Sequence, residues 1–352
     1  MPKPFATHRA QIESILLAWG MPAVNAARTA DVMAWADLRG VDSHGLSMLT
    51  VYDQRRQLGR LNMKAAPRII QQTPVAALID GDGGLGHAPS VLAMETAIAK
   101  AQQIGVAVSS VRNSAHFGPA GYYSNMAAEA GMIGIGCTSA SGIQVAPTFG
   151  AEAKYGTDPW TFAAPARDGE PFLLDMATTT VAAGKIRNKA NEGLPLPPGW
   201  VVTAAGKPST DPTENQKGGF LTPLGGTAEN SSYKGYGLAA MVNILASALS
   251  GATMVTDPMH MKKASQDIGH FFMVINPGLF RDSADFRADV TAFCDSLRAT
   301  KPADPAQPVM VAGDPERRVA ASRMQQGIPV MKNLGLKVKA ISEAAGVSWQ
   351  LD

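Results

Sequence analysis

A glycine-rich run, Gly81-Asp82-Gly83-Gly84-Leu85-Gly86, separates an apolar stretch at 75–79 from an amphipathic one at 90–103. Its spacing matches the Gly-x-Gly-x-x-Gly turn of dinucleotide-binding strand–turn–helix units. In those units an acidic residue roughly 20 positions on, at the end of the next strand, binds the ribose. The next apolar stretch here is Gly105-Val106-Ala107-Val108-Ser109-Ser110-Val111, and it carries no acid. A Rossmann sheet is therefore not expected, and the glycines read as a turn after an ordinary strand.

Hydrophobic periodicity supplies the other elements. Ile12, Ile15, Leu16 and Trp19 repeat at helical spacing up to Gly20, and a second run passes from Asn25 through Ala30, Val32 and Met33 to Ala36, ending near Gly40. A third helix carries Leu46, Leu49, Tyr52 and Leu58. Extended segments are expected at 68–70 and 75–79, across the turn Gln71-Gln72-Thr73-Pro74, and again at 106–111, 132–137, 171–177 and 269–276. Helices are expected at 90–103 and 120–130, after the run Thr178-Thr179-Thr180 and reaching Lys185, at 283–299 and at 315–326. Another opens at Lys234-Gly235-Tyr236-Gly237, places Leu238, Met241, Val242, Leu245 and Leu249 on one stripe, and stops at Gly251. Residues 146–166 and 190–227 read as loop, being rich in Gly and Pro.

Composition narrows the function. The 352 residues carry a net charge of +2, which gives no electrostatic reason to expect nucleic acid. With 45% hydrophobic and 17% charged residues, the chain suits one large folded domain or two intertwined ones. Two cysteines, Cys137 and Cys294, exclude a disulfide framework and a cysteine-rich zinc site, and six scattered histidines show no HxxxH or HExxH spacing, so no metal is expected. The longest apolar run, 238–249, falls short of the ~20 residues of a membrane helix and contains Asn243 and Ser247. The start, Met1-Pro2-Lys3-Pro4-Phe5, leads into an amphipathic pattern and not a secretory one, so a cytoplasmic protein with reduced thiols and no membrane partner is expected.

Two stretches carry chemistry: Asp42-Ser43-His44-Gly45 and Asn113-Ser114-Ala115-His116-Phe117-Gly118-Pro119-Ala120-Gly121-Tyr122-Tyr123. Each sets a histidine beside glycines and hydroxyls at an element end. Histidine exchanges protons near neutrality, and glycine lets a ligand approach the backbone. The two are expected to meet around a small substrate and a nicotinamide ring. His44 also falls at or just before a helix N-terminus, where free N–H groups favour an anion.

With these segments in view, the chain resembles the malate/L-lactate dehydrogenase family, which also holds ureidoglycolate dehydrogenase, diketogulonate reductase, sulfolactate dehydrogenase and cyclic-imine reductases. The matching pieces are Asp37-Leu38-Arg39-Gly40-Val41-Asp42-Ser43-His44-Gly45, His116-Phe117-Gly118, Asp175-Met176-Ala177-Thr178, Lys234-Gly235-Tyr236-Gly237-Leu238-Ala239, Gly269-His270-Phe271-Phe272 and Gly327-Ile328-Pro329-Val330. They lie in order along nearly the whole chain. The resemblance implies a non-Rossmann α/β (α+β) fold: a large, mostly antiparallel sheet with helices, and a helical part built from both chain ends. On that reading, 1–75 packs with 283–352, and 76–282 forms the central NAD(P)-binding sheet domain. It further implies a homodimer and hydride transfer between NAD or NADP and a 2-oxo acid, 2-hydroxy acid or cyclic imino acid.

The resemblance points to His44, assisted by Ser43, as the acid/base, with His116 as the alternative; the plain alternative for either is an imidazole bound to a backbone carbonyl. Tyr52 would hold a substrate oxygen or simply fill the core. The cofactor is expected at His116, Phe117, Gly118, Pro119 and Ala120, at Leu174, Asp175 and Met176, at Leu224 and Gly225, at Lys234, and at Gly313, Asp314, Pro315 and Glu316. Asp175 has a plainer use as the cap of the run that follows it, and Lys234 as a mere helix start. Lys154, Asp158 and Lys185 read as solvated loop charges; imine-reducing relatives carry an acid near the Lys185 position, which this chain lacks. Met48 stands in the substrate-binding segment where many relatives have an arginine able to clamp a carboxylate. Ser139-Ala140-Ser141-Gly142 lacks the lysine of the ureidoglycolate enzymes. Either Arg39 or Arg187 replaces that cation or the substrate is not a simple 2-oxo acid, and weak activity on malate and lactate is expected. The rival function is a catalytically silent relative that binds a metabolite or cofactor without turnover; NAD and NADP stay open.

Overall fold

A computed structural model describes residues 2–140, 142–257 and 267–352. Two helices, α1 (Phe5–Ala18) and α2 (Ala23–Leu38), precede a 3-10 turn (Leu46–Met48) that runs into α3 (Leu49–Gln57). Then follow β1 (Arg68–Gln72), β2 (Ala76–Asp80), α4 (His87–Ile104), β3 (Val106–Ser114), α5 (Gly121–Glu129), β4 (Ile133–Thr138), β5 (Trp160–Ala164) and β6 (Phe172–Met176). Next come α6 (Ala183–Glu192), the short strands β7 (Val201–Val202), β8 (Pro208–Ser209) and β9 (Phe220–Leu221), and α7 (Tyr233–Val242), which continues as a π turn (Asn243–Ala248). The chain closes with β10 (Ile268–Ile275), α8 (Ser283–Arg298), α9 (Asp314–Gln326) and α10 (Lys332–Ala344).

The seven-stranded sheet has the order β1-β2-β3-β10-β4-β5-β6. Among the described residues β2 and β3 form its parallel pair, and the other neighbours run antiparallel. Parallel neighbours need a long crossover, and α4 supplies it, entered through the glycine turn at 81–86. The local unit is thus βαβ, but the sheet around it is not the parallel sheet of a Rossmann domain. One face of the sheet packs on α4 and α5 through Ile79, Val91, Met94, Val111, Tyr123, Phe272 and Val274.

A second core joins the two ends of the chain. Ile12, Ile15 and Leu16 of α1 and Ala30 and Met33 of α2 pack with Leu49 and Tyr52 of α3, Val338 of α10 and Leu351. Burying each large aliphatic side chain there contributes about 1.5–3 kcal/mol. Gln11 ties the ends further, donating to Ser342 Oγ at 3.1 Å and accepting from Gln350 N at 2.6 Å. α8 is anchored at the far edge of the sheet by Arg167–Asp295 and Arg287–Asp168.

Several expectations differ from what is seen. The threonine run leads into a helix that starts at Ala183 and runs past Lys185 to Glu192; the run itself pairs as extended chain, with Thr180 N donating to Thr222 O and Leu224 N to Thr178 O. Within 190–227 the small β8-β7-β9 sheet forms, and β5 forms within 146–166. Two-residue strands carry no alternation to detect, and the five residues of β5 are flanked by Gly and Pro. α10 was absent from the pattern because Gly335 and its lysines blur the apolar stripe. The α7 stripe divides: Val242, Ala239 and Ala246 are buried, whereas Met241, Ile244 and Leu249 are 48%, 58% and 62% exposed. No helix among the described residues is long and apolar enough to cross a membrane.

Candidate active site

The first histidine loop is held by a buried carboxylate. Asp37, at the end of α2, accepts from His8 Nε2 at 2.6 Å and from Leu46 N at 2.7 Å. Burial pushes its carboxyl up, while those two partners oppose the shift. A Cβ on Gly45 would lie 2.0 Å from this carboxylate, so only glycine lets the chain pass. Arg323 of α9 donates to Asp37 O and to both oxygens of Asp42. The Leu46 N–H expected to attract an external anion is therefore already taken by Asp37. Held this way, His44 is half-buried, with its Nδ1 2.8 Å from Ser43 Oγ. Desolvation lowers its pKa below the usual 6.5.

The second loop is fixed from β10. His270 spans Ser114 Oγ (3.0 Å from Nε2) and Thr138 Oγ1 (2.6 Å from Nδ1), and the Phe117 ring lies on it at 4.6 Å and 10°. Tyr123 Oη donates to Phe117 O. His116 then meets His44, ring centroids 5.5 Å apart and stacked at 27°. The two imidazoles, 72 positions apart in the sequence, converge as expected from the sequence.

Tyr52 and Gly118 set the tautomer of His116. Tyr52 Oη lies 2.6 Å from His116 Nδ1, and Gly118 N–H points at the same nitrogen from 3.3 Å. A backbone amide only donates, so Nδ1 accepts and the ring hydrogen sits on Nε2. Burial, and then the nearby charges of His44, His87 and Arg55, hold His116 well below its ordinary pKa. It is a neutral imidazole presenting Nε2–H. Tyr52 is buried in the core, its plainer expected use, and its hydroxyl is engaged with His116.

The segments expected at the cofactor fall in more than one place. Gly121 N, just after Pro119 and Ala120, donates to Asp175 Oδ2 at 2.7 Å. Asp175 thus caps α5 and not the run that follows it. Its second oxygen accepts no hydrogen bond among the described residues. Surrounding protein bulk raises its carboxyl to about 6 although the residue's outer face is open to solvent, so it is ionised at neutral pH. Leu174 and Met176 flank it on the edge strand β6. Leu224 bonds Thr178 O at 2.8 Å, and Gly225 adopts φ +106°. Lys234 is exposed in the first turn of α7. Leu173 N donates to Ala312 O at 3.2 Å, which brings Gly313, Pro315 and Glu316 beside β6. Asp314 is committed elsewhere, bonded to Arg298 at 2.9 and 3.0 Å, to Arg317, and to Val311 N at 2.8 Å.

Other residues fall away from the imidazoles. Lys154 pairs with Glu152 at the surface, and Lys185 is exposed on α6. Asp158 is no solvated loop charge: it is buried, accepts from Ala140 N at 2.8 Å and Asn243 Nδ2 at 2.9 Å, and has its carboxyl raised to about 6 by desolvation. Arg39 faces a separate cavity lined by no residue of the histidine cluster. Ser141 and the Arg187 side chain lie outside the described residues. No cluster of three or more metal-ligating side chains occurs among the described residues.

Three residues escaped the sequence reading. His270 and His87 were hidden because their roles depend on partners far along the chain; His87 sits 6.4 Å from His116 and 5.8 Å from Tyr52, centroid to centroid. Arg55 was legible: Met48, Tyr52 and Arg55 follow at helical spacing along one face of the 3-10 turn and α3. Its charge acts on both Tyr52 and His116.

The chain has known relatives along nearly its whole length. The malate/L-lactate dehydrogenase family model matches residues 4–338. A malate dehydrogenase of Pyrococcus horikoshii is 37% identical over 337 residues, covering 96% of this chain and 93% of that protein. An L-sulfolactate dehydrogenase of Methanocaldococcus jannaschii is 36% identical over 339 residues, covering 96% and 95%. Among solved structures, malate dehydrogenase from Entamoeba histolytica superposes with a TM-score of 0.93 at 33% identity, covering 99% of each chain.

Proposed function

Because this chain belongs to the malate/L-lactate dehydrogenase family and is a dehydrogenase, we propose that it transfers a hydride between NAD(P) and a small 2-oxo or 2-hydroxy acid, with His44 as the acid/base. The observation carrying the assignment is the double donation to His116 Nδ1 by Tyr52 and Gly118. It leaves His116 without a free lone pair, so His116 can orient the substrate oxygen through Nε2–H but cannot take its proton there. His44 differs. With Nδ1 paired to Ser43 Oγ, His44 Nε2 is the nitrogen left to gain and lose a proton, and the half-exposed ring exchanges that proton with solvent.

The residues near the imidazoles fit a nicotinamide cofactor. Asp175 offers one oxygen with no protein partner, at the N-terminus of α5 and next to the His116 loop, suited to accept from a carboxamide or ribose hydroxyl. Gly118, Gly225 and Gly313 turn the backbone at positive φ. When bound, the nicotinamide supplies or takes the hydride. The protein's part is to align the substrate and to hold or release the proton at His44 Nε2. Arg55, on the face shared by Met48 and Tyr52, supplies the positive charge that Met48 cannot, and we assign it to the substrate carboxylate. Exposed Tyr233, Met241, Ile244 and Leu249 on α7 and its π turn form an apolar face that a second copy would cover, in keeping with a homodimer.

The test is oxidation of NADH and NADPH across a panel of 2-oxo acids, ureidoglycolate and cyclic imines. Turnover of an acid is expected, with weak activity on pyruvate and oxaloacetate. His44→Ala should lose the reaction, and Arg55→Gln should raise KM for acids by roughly tenfold or more. Full turnover by His44→Ala would move the proton transfer to His116. Cofactor binding with no panel substrate turned over would favour the silent-relative reading.

A further inference from the structure

Among the buried residues of α1, Ile12, Ile15 and Leu16 are apolar, and Gln11 has both ends of its amide bonded. His8 is left half-satisfied. It is 1% exposed, its Nε2 lies 2.6 Å from Asp37 Oδ2, and its Nδ1 has no hydrogen-bond partner among the described residues. A buried ring nitrogen without a partner costs stability, so an apolar side chain would suit this place in the core better. What an apolar side chain cannot supply is the bond through Nε2. That bond is directed at the carboxylate on which the His44 loop is seated. Leu46 N–H donates to the same Oδ2 at 2.7 Å, and the Gly45 backbone lies against the carboxylate itself. Arg323 grips Asp37 O and Asp42 instead, so among the described residues His8 is the one side chain bonded to the Asp37 carboxylate. Burial raises that carboxyl, and the bond from His8 is the strongest influence opposing it.

We propose that His8 is a positioning residue for the reaction. By orienting the Asp37 carboxylate through Nε2–H, it fixes the Gly45–Leu46 backbone and with it the pose of the His44 ring. It acts through Asp37 and exchanges no proton with the substrate. The inference rests on His44 being the acid/base.

Three substitutions separate this role from core packing. His8→Gln places an amide N–H where Nε2–H stands, His8→Asn reaches only as far as Nδ1, and His8→Leu fills the space with no donor. Hydrogen exchange of the segment 42–48, followed by mass spectrometry on the full chain, should be about tenfold faster in His8→Leu and His8→Asn than in wild type or His8→Gln. On an acid that the protein turns over, below the unfolding temperature of every variant, kcat should fall about tenfold in His8→Leu and His8→Asn. KM for the cofactor should stay within about twofold, and His8→Gln should recover most of the lost kcat. Unchanged exchange in His8→Leu would overturn the proposal with or without a substrate. So would faster exchange with an unchanged kcat, a rise in cofactor KM in place of the fall in kcat, or a His8→Gln protein as impaired as His8→Leu. Full turnover by His44→Ala would sink the acid/base reading and this inference with it. An inactive His44→Ala beside an unimpaired His8→Leu would sink this inference alone.

Discussion

Replacing His87 by leucine should make the protein resist acid. His87 is fully buried at the start of α4, and neither ring nitrogen has a hydrogen-bond partner in the structure. Desolvation, reinforced by His270 and His44, lowers its pKa to about 3, against ~6.5 in an unfolded chain. The sign follows from linkage. Above pH ~6.5 the ring is neutral in both states and contributes no pH dependence. Below it the unfolded chain binds a proton that the folded protein refuses, so stability falls as pH drops from ~6.5 towards about 3. Between about pH 8 and pH 5.5 this one residue costs about 1.4 kcal/mol. Leucine has a similar volume and nothing to protonate. Guanidinium unfolding followed by tryptophan fluorescence at the two pH values should show wild type losing about 1.4 kcal/mol more than His87→Leu, with the two proteins within about 1 kcal/mol of each other at pH 8. An equal acid-induced loss in both proteins would refute the argument. So would a drop of several kcal/mol at pH 8, which would mean that the ring nitrogens make bonds after all.

Two further outcomes follow from the site and the surface. Tyr52→Phe removes the stronger of the two donors to His116 Nδ1, worth about 1–3 kcal/mol; kcat should fall about tenfold to a hundredfold with KM changed less, and an unaltered kcat would show that the tautomer lock does not matter. Met241→Glu places a charge in the exposed apolar face of α7; if the proposed homodimer uses that face, sedimentation should shift from dimer towards monomer, and a dimer unchanged by the substitution would refute that use of the face.

What the sequence made legible was local. The helical spacing of Ile12, Ile15 and Leu16 and the two histidine loops survive intact, because a repeated apolar stripe and a glycine beside a histidine carry their meaning within a few residues. The missing acid after Gly86 pointed away from a Rossmann sheet, and the sheet is mostly antiparallel. Partnerships across the chain were illegible. Nothing near Asp37 announces that it will bond His8 and Leu46 N, and nothing near Asp175 shows that it will cap α5. The α7 stripe divides because Ala239, Val242 and Ala246, three and four residues apart, are the ones buried, with Val242 and Ala246 packed against Cys137 and Phe271 of the sheet, and this leaves Met241, Ile244 and Leu249 outside.

The grip of Arg323 on Asp37 and Asp42 has a consequence for the order of assembly. These contacts span more than 280 positions, so while the polypeptide is being synthesised the loop bearing His44 has only its local ties to Asp37 until Arg323 has left the ribosome. Pairing at such separation is slow to form. The loop bearing His44 should therefore be among the last parts of the newborn enzyme to acquire its final shape, with the central sheet ordered before it.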